Sequence, residues 1–321
     1  MSDKNRTQTV LADAAGIAQA ASALKDGGLV AVPTETVYGL AARADSAQAV
    51  AKIYAAKGRP EINPLIVHVS DLEQARAIAD FDVVDAEMLA KRCWPGPLTL
   101  VLPIKPGAKI APAVTAGLPT IALRVPEHPV MRDLLRSIPF PLAAPSANRS
   151  GYISPTNPSH VRAGLDRRVD LLLDGGEACA EGLESTIVAV RTNRQWVELR
   201  PGPVDLQSLH EEFYAGMDKQ SPIISKGGLE SPGQMASHYS PGKPVRLSAT
   251  EPKPDEFMIG FQEYPGDVSL SKTGDLVEAA AHLYDCLHQA AASDKPRIAV
   301  APIPQESVGR AINDRLRRAA H

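Results

Sequence analysis

The segment AQAVAKIYAAKGRPEINPLIVHVS, residues 47–70, sets a helix, a basic turn and a buried strand in direct succession. Ser46 precedes a helical run that stops at Gly58, as capping preferences predict. The run PLIVHVS at 64–70 is short and apolar, which is typical of a buried strand. Helices and strands that intermix in this way predict an α/β protein.

The same pattern continues on both sides of this segment. Further strands are predicted at 29–34, 98–104, 120–126, 169–176, 185–191 and 195–202, and helices at 12–26, 83–92, 128–136 and 157–165. Only Thr192-Asn193-Arg194 separates the strands 185–191 and 195–202, which predicts a hairpin. Strict helix–strand alternation is therefore broken, and we expect a mixed sheet with helices packed on it.

The pattern lapses between residues 215 and 243, where serine, glycine and proline dominate. A stretch of this length without periodicity indicates a linker or a covering loop. A smaller α/β unit follows, with strands at 245–249, 257–262 and 297–304 and helices at 275–292 and 307–320. We predict a first domain over 1–212, a linker or lid over 213–244 and a second domain over 245–321.

Composition excludes several classes of protein. The 321 residues are 44% hydrophobic and 22% charged with a net charge of −3, which argues against wholesale nucleic-acid or membrane binding. Aromatic residues make up 4%, too few for an extended base-stacking surface. Three scattered cysteines argue against a disulfide framework or a zinc site and for a reducing compartment. No apolar run suits a signal peptide or a membrane span, so we expect a cytoplasmic protein.

The basic turn is the first candidate site. Lys57 and Arg59 stand at a helix end, where the helix dipole alone favours cations. Pro60 and Pro64 restrict the backbone that carries them, which favours a rigid phosphate site instead. His68 on the following strand is either a core histidine or a substrate contact.

Polar residues also follow two other strands. PTETVYGLAA, 33–42, is either a ligand crevice or a polar turn leading into a helix. Thr120 and Arg124 share one face of the strand 120–126. A buried arginine either pairs with a buried carboxylate or binds an anion such as an amino-acid carboxylate.

Three later segments add polar groups. APSANRSGYISPT, 144–156, presents hydroxyls suited to phosphate or is a plain turn, and it matches neither common glycine-rich nucleotide motif. GLESTIVAV places Glu184 and Ser185 at a strand start, and Arg200 precedes a Pro-Gly turn. His238 and Tyr239 lie between Pro-Gly turns of the linker, which is typical of a lid.

Seven of these motifs occur in the order found in one enzyme family. PTETVYGL, KGRPEINPLIVH, WPGPLTLVL, ALRVPEHP, APSANRSG, ESTIV and LRPG resemble the YrdC/Sua5 family of threonylcarbamoyl-AMP synthases, from about residue 17 to the end. The linker SPGQMASHYSPGKPV and the tail VGRAINDRLRRAA are similar to those of the long form. The resemblance implies a YrdC-like twisted mixed sheet with flanking helices and a small C-terminal Rossmann-like Sua5 domain.

The resemblance also implies the reaction. L-threonine, bicarbonate (or CO2) and ATP give L-threonylcarbamoyl-AMP and pyrophosphate, and a separate transferase complex completes the N6-threonylcarbamoylation of adenosine 37 in tRNA. The carbamate is an anionic nucleophile, so positioning and charge stabilisation suffice and we expect no catalytic base. Mg2+ is expected with ATP, held by the nucleotide and water rather than by protein ligands.

Matching motifs carry the family's ligand contacts onto this chain. Four residues resemble threonine contacts: Thr36, His68, Arg124 and Ser185. Eight resemble ATP contacts: Lys57, Arg59, Asn63, Thr120, Ser146, Ser154, Arg200 and Tyr239. His238 is a further candidate beside Tyr239.

Two other functions stay open at this point. Carbamoyl-adenylate chemistry in hydrogenase maturation uses a YrdC-like domain, but it normally carries acylphosphatase and zinc-finger segments that this sequence lacks. A YrdC-type RNA-binding module, with weak binding to tRNA or double-stranded RNA, is disfavoured as the main role by the acidic balance and the few aromatics.

Overall fold

The computed structural model describes residues 7–82, 84–176, 178–191, 195–215, 222–224, 230–231 and 238–321. These residues form one eleven-stranded sheet and one four-stranded sheet, each with helices packed on it. The α/β fold class, with a mixed sheet and a smaller second unit, is therefore confirmed.

The large sheet has the strand order β1-β8-β2-β3-β7-β4-β6-β5-β9-β10-β11. Its strands are β1 (Gln8–Leu11), β2 (Val30–Val32), β3 (Gly39–Arg43), β4 (Ile66–His68), β5 (Leu98–Pro103), β6 (Thr120–Arg124), β7 (Leu142–Ala143), β8 (Leu171–Asp174), β9 (Thr186–Val190), β10 (Trp196–Arg200) and β11 (Ile223–Ile224). β4 and β6 are parallel, whereas β9 and β10 form the predicted antiparallel pair. The turn between β9 and β10 lies outside the described residues.

Eight helices of this unit are described: α1 (Ala14–Lys25), α2 (Ala47–Lys57), α3 (Leu72–Ile78), α4 (Val84–Cys93), α5 (Pro112–Thr115), α6 (Pro129–Arg136), α7 (Pro158–Leu165) and α8 (Leu206–Phe213). α2 begins as predicted, because the Ser46 side chain accepts a hydrogen bond from the backbone of Ala49. It ends where Gly58 adopts a left-handed conformation with φ of 60°. The basic turn therefore starts at a fixed point.

The stretch 33–42 does not lead into a helix. Its second half is β3, which pairs antiparallel with β2 through Val30 and Ala41. The sequence GLAAR lacks the apolar–polar alternation that marks a strand, because β3 is buried on both faces. The polar residues 34–36 belong to the turn between β2 and β3, at the end where β2 stops and β3 begins.

The small sheet is parallel throughout, in the order β12-β15-β13-β14. It comprises β12 (Val245–Arg246), β13 (Glu256–Gly260), β14 (Val268–Ser269) and β15 (Arg297–Val300), with helices α9 (Leu276–Ala292) and α10 (Gly309–Ala319). Most of the predicted lid, 213–244, lies outside the described residues, and its bounds stay a prediction. Among the helices that are described, none is long and apolar enough to cross a membrane.

The two units are packed tightly together. Val37, Ile153 and Leu183 of the first unit belong to the hydrophobic cluster of the second. Gly182, with φ of 64°, approaches α9 so closely that a Cβ atom there would lie 2.4 Å from the Cα of Ala281. No other residue type fits this position without moving a backbone. α9 is thus fixed against the strand that follows Gly182.

Candidate active site

A polar cavity opens where several strands of the large sheet end. β4 and β6 are parallel and in register, so His68 and Arg124 stand side by side at their carboxyl ends. Ser185 directly precedes β9, and Arg200 ends the antiparallel β10 next to it. Polar side chains line the cavity: Thr34, Thr36, Arg59, His68, Arg124, Ser146, Glu184, Ser185, Arg200, His238 and Tyr239.

Arg124 is held by three neighbours. Its Nε donates to the carbonyl of Gly96 at 3.1 Å, Nη1 to the Thr36 hydroxyl at 2.9 Å and Nη2 to Glu35 Oε1 at 2.6 Å. Arg124 pairs with a buried carboxylate, which is one of the two predicted alternatives. It also lines the cavity, so it remains available to an anion, which is the other. Each terminal nitrogen carries a second hydrogen, which is suited to a ligand carboxylate.

Glu35 is ionised because Arg124 stabilises its negative charge. Burial alone would raise its pKa, but the charge of Arg124 and its hydrogen bond lower the pKa below the usual range. The Glu35–Arg124 pair is thus a fixed, nearly neutral unit in the cavity wall. A ligand carboxylate would share the guanidinium with Glu35 rather than replace it.

His68 is a neutral imidazole. Burial, followed by the charge of Arg124, lowers its pKa to about 3. Its Nδ1 is buried and forms no hydrogen bond to the described residues. On the same side of the cavity, the hydroxyls of Thr34 and Thr36 lie 2.9 Å apart. This corner combines a guanidinium, an imidazole and hydroxyl groups.

Ser185 and Arg200 are bound to each other. Arg200 donates from Nε to the Ser185 carbonyl at 3.0 Å and from Nη2 to the Ser185 hydroxyl at 3.1 Å. The same hydroxyl lies 2.7 Å from that of Thr99 on β5. One guanidinium and one hydroxyl are therefore oriented together on this wall.

Arg59 is clamped by the proline-bounded turn, as its sequence predicts. Its Nε donates to the carbonyl of Asn63 at 3.3 Å and Nη2 to that of Pro64 at 2.9 Å. Burial lowers its pKa to about 10, so it stays charged at neutral pH. Together with Arg124 and Arg200, it gives the cavity a cationic lining suited to anions.

Comparison with known proteins identifies the family of this chain. A family model named for Sua5, YciO and YrdC, with the description telomere recombination, matches residues 22–202. A second model, described as the C-terminal domain of threonylcarbamoyl-AMP synthase, matches residues 203–321. The chain belongs to the Sua5/YrdC family. The resemblance drawn from the seven ordered motifs is thereby confirmed.

Relatives of this Sua5/YrdC chain match it over nearly its whole length. The threonylcarbamoyl-AMP synthase of Bacillus subtilis is 39% identical, covering 95% of this chain and 92% of the relative. A crystal structure of Pyrococcus abyssi Sua5 with L-threonine superposes with a TM-score of 0.84 at 35% identity, covering 95% of this chain and 94% of that chain. A P. abyssi Sua5 variant with a histidine and a tyrosine replaced by alanine gives 0.86 at 32% identity, covering 98% and 96%.

Eight of the twelve predicted site residues line the cavity, and four lie behind it: Lys57, Asn63, Thr120 and Ser154. Lys57 Nζ donates to the carbonyls of Ser146 and Asn148, and burial lowers its pKa. It thus holds in place the segment 144–156, called the hydroxyl loop below. The Asn63 carbonyl accepts from Arg59, and Thr120 pairs with Pro103 at the far end of β6. Their contacts with ATP stay predictions.

Glu184 lines the cavity although the sequence suggested no role for it. Its carboxylate accepts hydrogen bonds from Ser154 Oγ at 2.6 Å, Tyr284 OH at 2.8 Å and Arg315 Nε at 3.0 Å. Burial opposes its ionisation, but the charges of Arg315 and Arg200 lower its pKa to about 2. Arg315 lies 131 residues away, so no local pattern could have indicated this pair.

The linker residues reach the cavity of this Sua5/YrdC chain as predicted. Tyr239 is buried, with φ of 65°, and stacks on Tyr284 with 5.5 Å between ring centroids. The next residue, Ser240, donates its backbone N–H to the carbonyl of Gly151 at 2.8 Å. His238 lies beside it, and burial lowers its pKa to about 3. This part of the linker is therefore a wall of the cavity.

Proposed function

We propose that this chain joins L-threonine, bicarbonate and ATP into L-threonylcarbamoyl-AMP with release of pyrophosphate and water. It is a nucleotidyltransferase of the threonylcarbamoyl-AMP synthase class. The observation that carries the proposal is the division of one cavity into two parts. The Arg124–Glu35 pair with His68, Thr36 and Ser185 forms one part, and Arg59, Arg200, Ser146 and Tyr239 form the other.

The first part suits an amino acid. Arg124 has one hydrogen on each terminal nitrogen for a carboxylate, and it is the only cavity-lining cation among the described residues that pairs with Glu35. His68, with a pKa of about 3, is too weak a base to take a proton from an ammonium group. It therefore orients the substrate as a neutral hydrogen-bonding group. Thr36 and Ser185 add hydroxyls that threonine's own hydroxyl can bind.

The second part suits phosphate groups. Arg59 and Arg200 supply charge, and the Ser146 hydroxyl and Tyr239 supply polar and stacking contacts at the same cavity. In the proposed step, a carbamate oxygen forms a bond to the α-phosphorus while the bond from phosphorus to the bridging oxygen of pyrophosphate breaks. Both reactants are anionic, so fixed guanidinium groups stabilise the charge that accumulates.

The described residues do not supply a metal cage. They contain no group of three or more histidine, cysteine, aspartate or glutamate side chains placed to hold an ion. The cavity carboxylate Glu184 is already bound by three donors. We therefore propose that Mg2+ enters as part of the nucleotide, coordinated by phosphate oxygens and water.

Further partners follow from the same reaction. An adenylate of this kind is a mixed anhydride and needs an acceptor, which we propose is adenosine 37 of tRNA acting within a separate transferase complex. A cytoplasmic site of action and weak tRNA binding belong to the same proposal. Both rest on the family's chemistry, and the unpaired state of the three cysteines also supports a reducing compartment.

Pyrophosphate release tests the proposal. The purified full chain is incubated with ATP and Mg2+, with and without L-threonine and bicarbonate. We expect release only when both are present. Release that ignores threonine, or tight tRNA binding without any threonine-dependent release, would overturn the synthase assignment in favour of an ATPase or an RNA-binding module.

A further inference from the structure

The last helix of the C-terminal unit reaches the cavity through one arginine. Arg315 on α10 is fully buried, and its Nε lies 3.0 Å from Glu184 Oε2. Its Nη1 donates to the carbonyl of Pro201 at 2.8 Å, and Nη2 to that of Glu184 at 3.4 Å. Arg315 thus contacts the residue before Ser185 and the residue after Arg200. Ser185 and Arg200 themselves are the hydrogen-bonded pair on the cavity wall.

Glu184 is bound from both units at once. Ser154 donates to Oε1 from the hydroxyl loop, and Tyr284 and Arg315 donate to Oε2 from α9 and α10. A buried carboxylate without a cation is strongly unfavourable. Without Arg315, the Glu184 carboxylate would either take up a proton or move toward Arg200, whose charge already acts on it.

A move of Glu184 toward Arg200 would disturb the cavity wall that Ser185 and Arg200 form. Arg200 donates its Nε hydrogen and one Nη2 hydrogen to Ser185. A competing carboxylate would draw the guanidinium from Ser185 and neutralise part of the charge that faces the cavity. The identity of Glu184's partner therefore decides where Arg200 points.

We propose that Arg315 is a positioning residue of the active site: it binds Glu184 and so leaves Arg200 committed to Ser185 and to the anionic substrates. The inference rests on the proposed synthase function. It assigns the C-terminal unit a direct part in the reaction, because α10 completes the polar network behind the cavity. Among the cavity-lining residues that the structure describes, Arg315 contacts Glu184 and Tyr239, and it would act on the substrates through them.

The same unit also holds the linker tyrosine. The Arg315 guanidinium lies 5.6 Å from the ring centroid of Tyr239, on which Tyr284 stacks. Gly182 lies against the backbone of α9, so the segment that carries Glu184 is packed tightly on α9. A substitution at Arg315 is therefore expected to shift both the cavity wall at Glu184 and the linker at Tyr239, because Arg315 contacts both residues directly.

Three variants test the role of Arg315. Arg315→Met keeps the length of the side chain and removes the charge. Arg315→Lys restores a charge without the planar fork. The matched control is Arg310→Met on the same helix, since Arg310 forms another ion pair between the units, to Glu198 at 2.6 Å, and is not a cavity-lining residue.

We expect Arg315→Met to lower kcat roughly 10- to 100-fold, with a smaller change in KM, because the wall is misplaced while the substrate contacts persist. Arg315→Lys should recover part of the loss, and Arg310→Met should equal the wild type. Kinetics equal to the wild type in Arg315→Met would overturn the inference. A wild-type chain without threonine-dependent pyrophosphate release would instead overturn the proposed function.

A pH profile separates positioning from mere domain docking. The titratable groups that face Glu184 are Arg315, Tyr284, Arg200, Lys57, His238 and Tyr239. Without Arg315, Glu184 should titrate at higher pH, so the ratio of Arg315→Met activity to wild-type activity should change with pH. A profile parallel to that of the wild type would contradict the positioning role.

A double variant covers the case in which Arg315→Met fails to fold. Glu184→Gln with Arg315→Met removes both charges of this pair, so Glu184 can no longer compete for Arg200. Asp314, which also contacts Arg315 at 3.0 Å, keeps Arg318 as its partner. We expect it to be folded, by circular dichroism and thermal unfolding, and more active than Arg315→Met. A double variant that folds yet is as inactive as Arg315→Met, or more so, would reduce Arg315 to a docking residue.

Discussion

Arg124 and Glu35 form a buried ion pair, with 2.6 Å between Nη2 and Oε1, at the edge of the cavity. The pair lies between β6 and the turn that joins β2 to β3, so it fixes the amino-acid side of the site to the sheet. The guanidinium is nonetheless shared, because Glu35 occupies one of its five hydrogens.

Arg124→Lys should impair threonine binding selectively. Lysine keeps the charge but cannot reach Gly96, Thr36 and Glu35 while also presenting a fork to a carboxylate. We expect KM for threonine to rise roughly tenfold or more, with KM for ATP little changed. Steady-state pyrophosphate release checks this, with Arg136→Lys as the control because Arg136 is exposed on α6. An equal rise in both KM values would contradict a threonine-side role.

Arg59→Ala should remove most of the synthesis activity while the protein stays folded. The cation stands on a proline-bounded turn at the nucleotide side, and its loss removes one of the two guanidinium groups that stabilise charge there. Pyrophosphate release and circular dichroism check the two halves of the statement. Arg92→Ala on the exposed face of α4 is the matched control. Activity near that of the wild type would refute the assignment.

Lys57→Met should destabilise the protein. Its ammonium group holds the carbonyls of Ser146 and Asn148, and removing it leaves buried acceptors unbound. We expect a loss of about 1–3 kcal/mol in the free energy of unfolding, measured with urea, together with lower activity from a displaced Ser146. Unchanged stability with lost activity would indicate instead that Lys57 contacts phosphate directly.

Acid should destabilise the folded protein below about pH 6.5, and His68 should contribute. Its folded pKa of about 3 lies below the ordinary value of 6.5, so the unfolded chain binds the extra proton first as pH falls. His68→Gln should therefore reduce the pH dependence of the free energy of unfolding between these limits by up to about 1.4 kcal/mol per pH unit. A slope unchanged from that of the wild type would contradict a neutral, buried His68.

Deleting residues 215–321 should impair catalysis. The truncation removes Tyr239 from the cavity and Arg315 and Tyr284 from Glu184. We expect the isolated first domain to lose most of its kcat, measured by pyrophosphate release after its folding is checked by circular dichroism. Full turnover by that domain would mean that the C-terminal unit serves another purpose.

The sequence predicts the strands that carry the site, because β4, β6 and β9 are largely apolar runs with polar residues at or next to their ends, and β10 follows β9 after a short turn. It does not predict β3, whose small residues show no alternation. The parts of the site that it misses depend on distant pairing. Lys57 meets carbonyls 89 and 91 residues away, and a cation at a helix end gives no sign of this.

The incorporation of labelled bicarbonate tests the central claim most directly. The full chain is incubated with ATP, Mg2+, L-threonine and 13C-bicarbonate, and the adenylate is detected by mass spectrometry. We predict threonylcarbamoyl-AMP one mass unit heavier than the product made with unlabelled bicarbonate. Threonyl-AMP without the added carbon, or no adenylate at all, would contradict the synthase assignment.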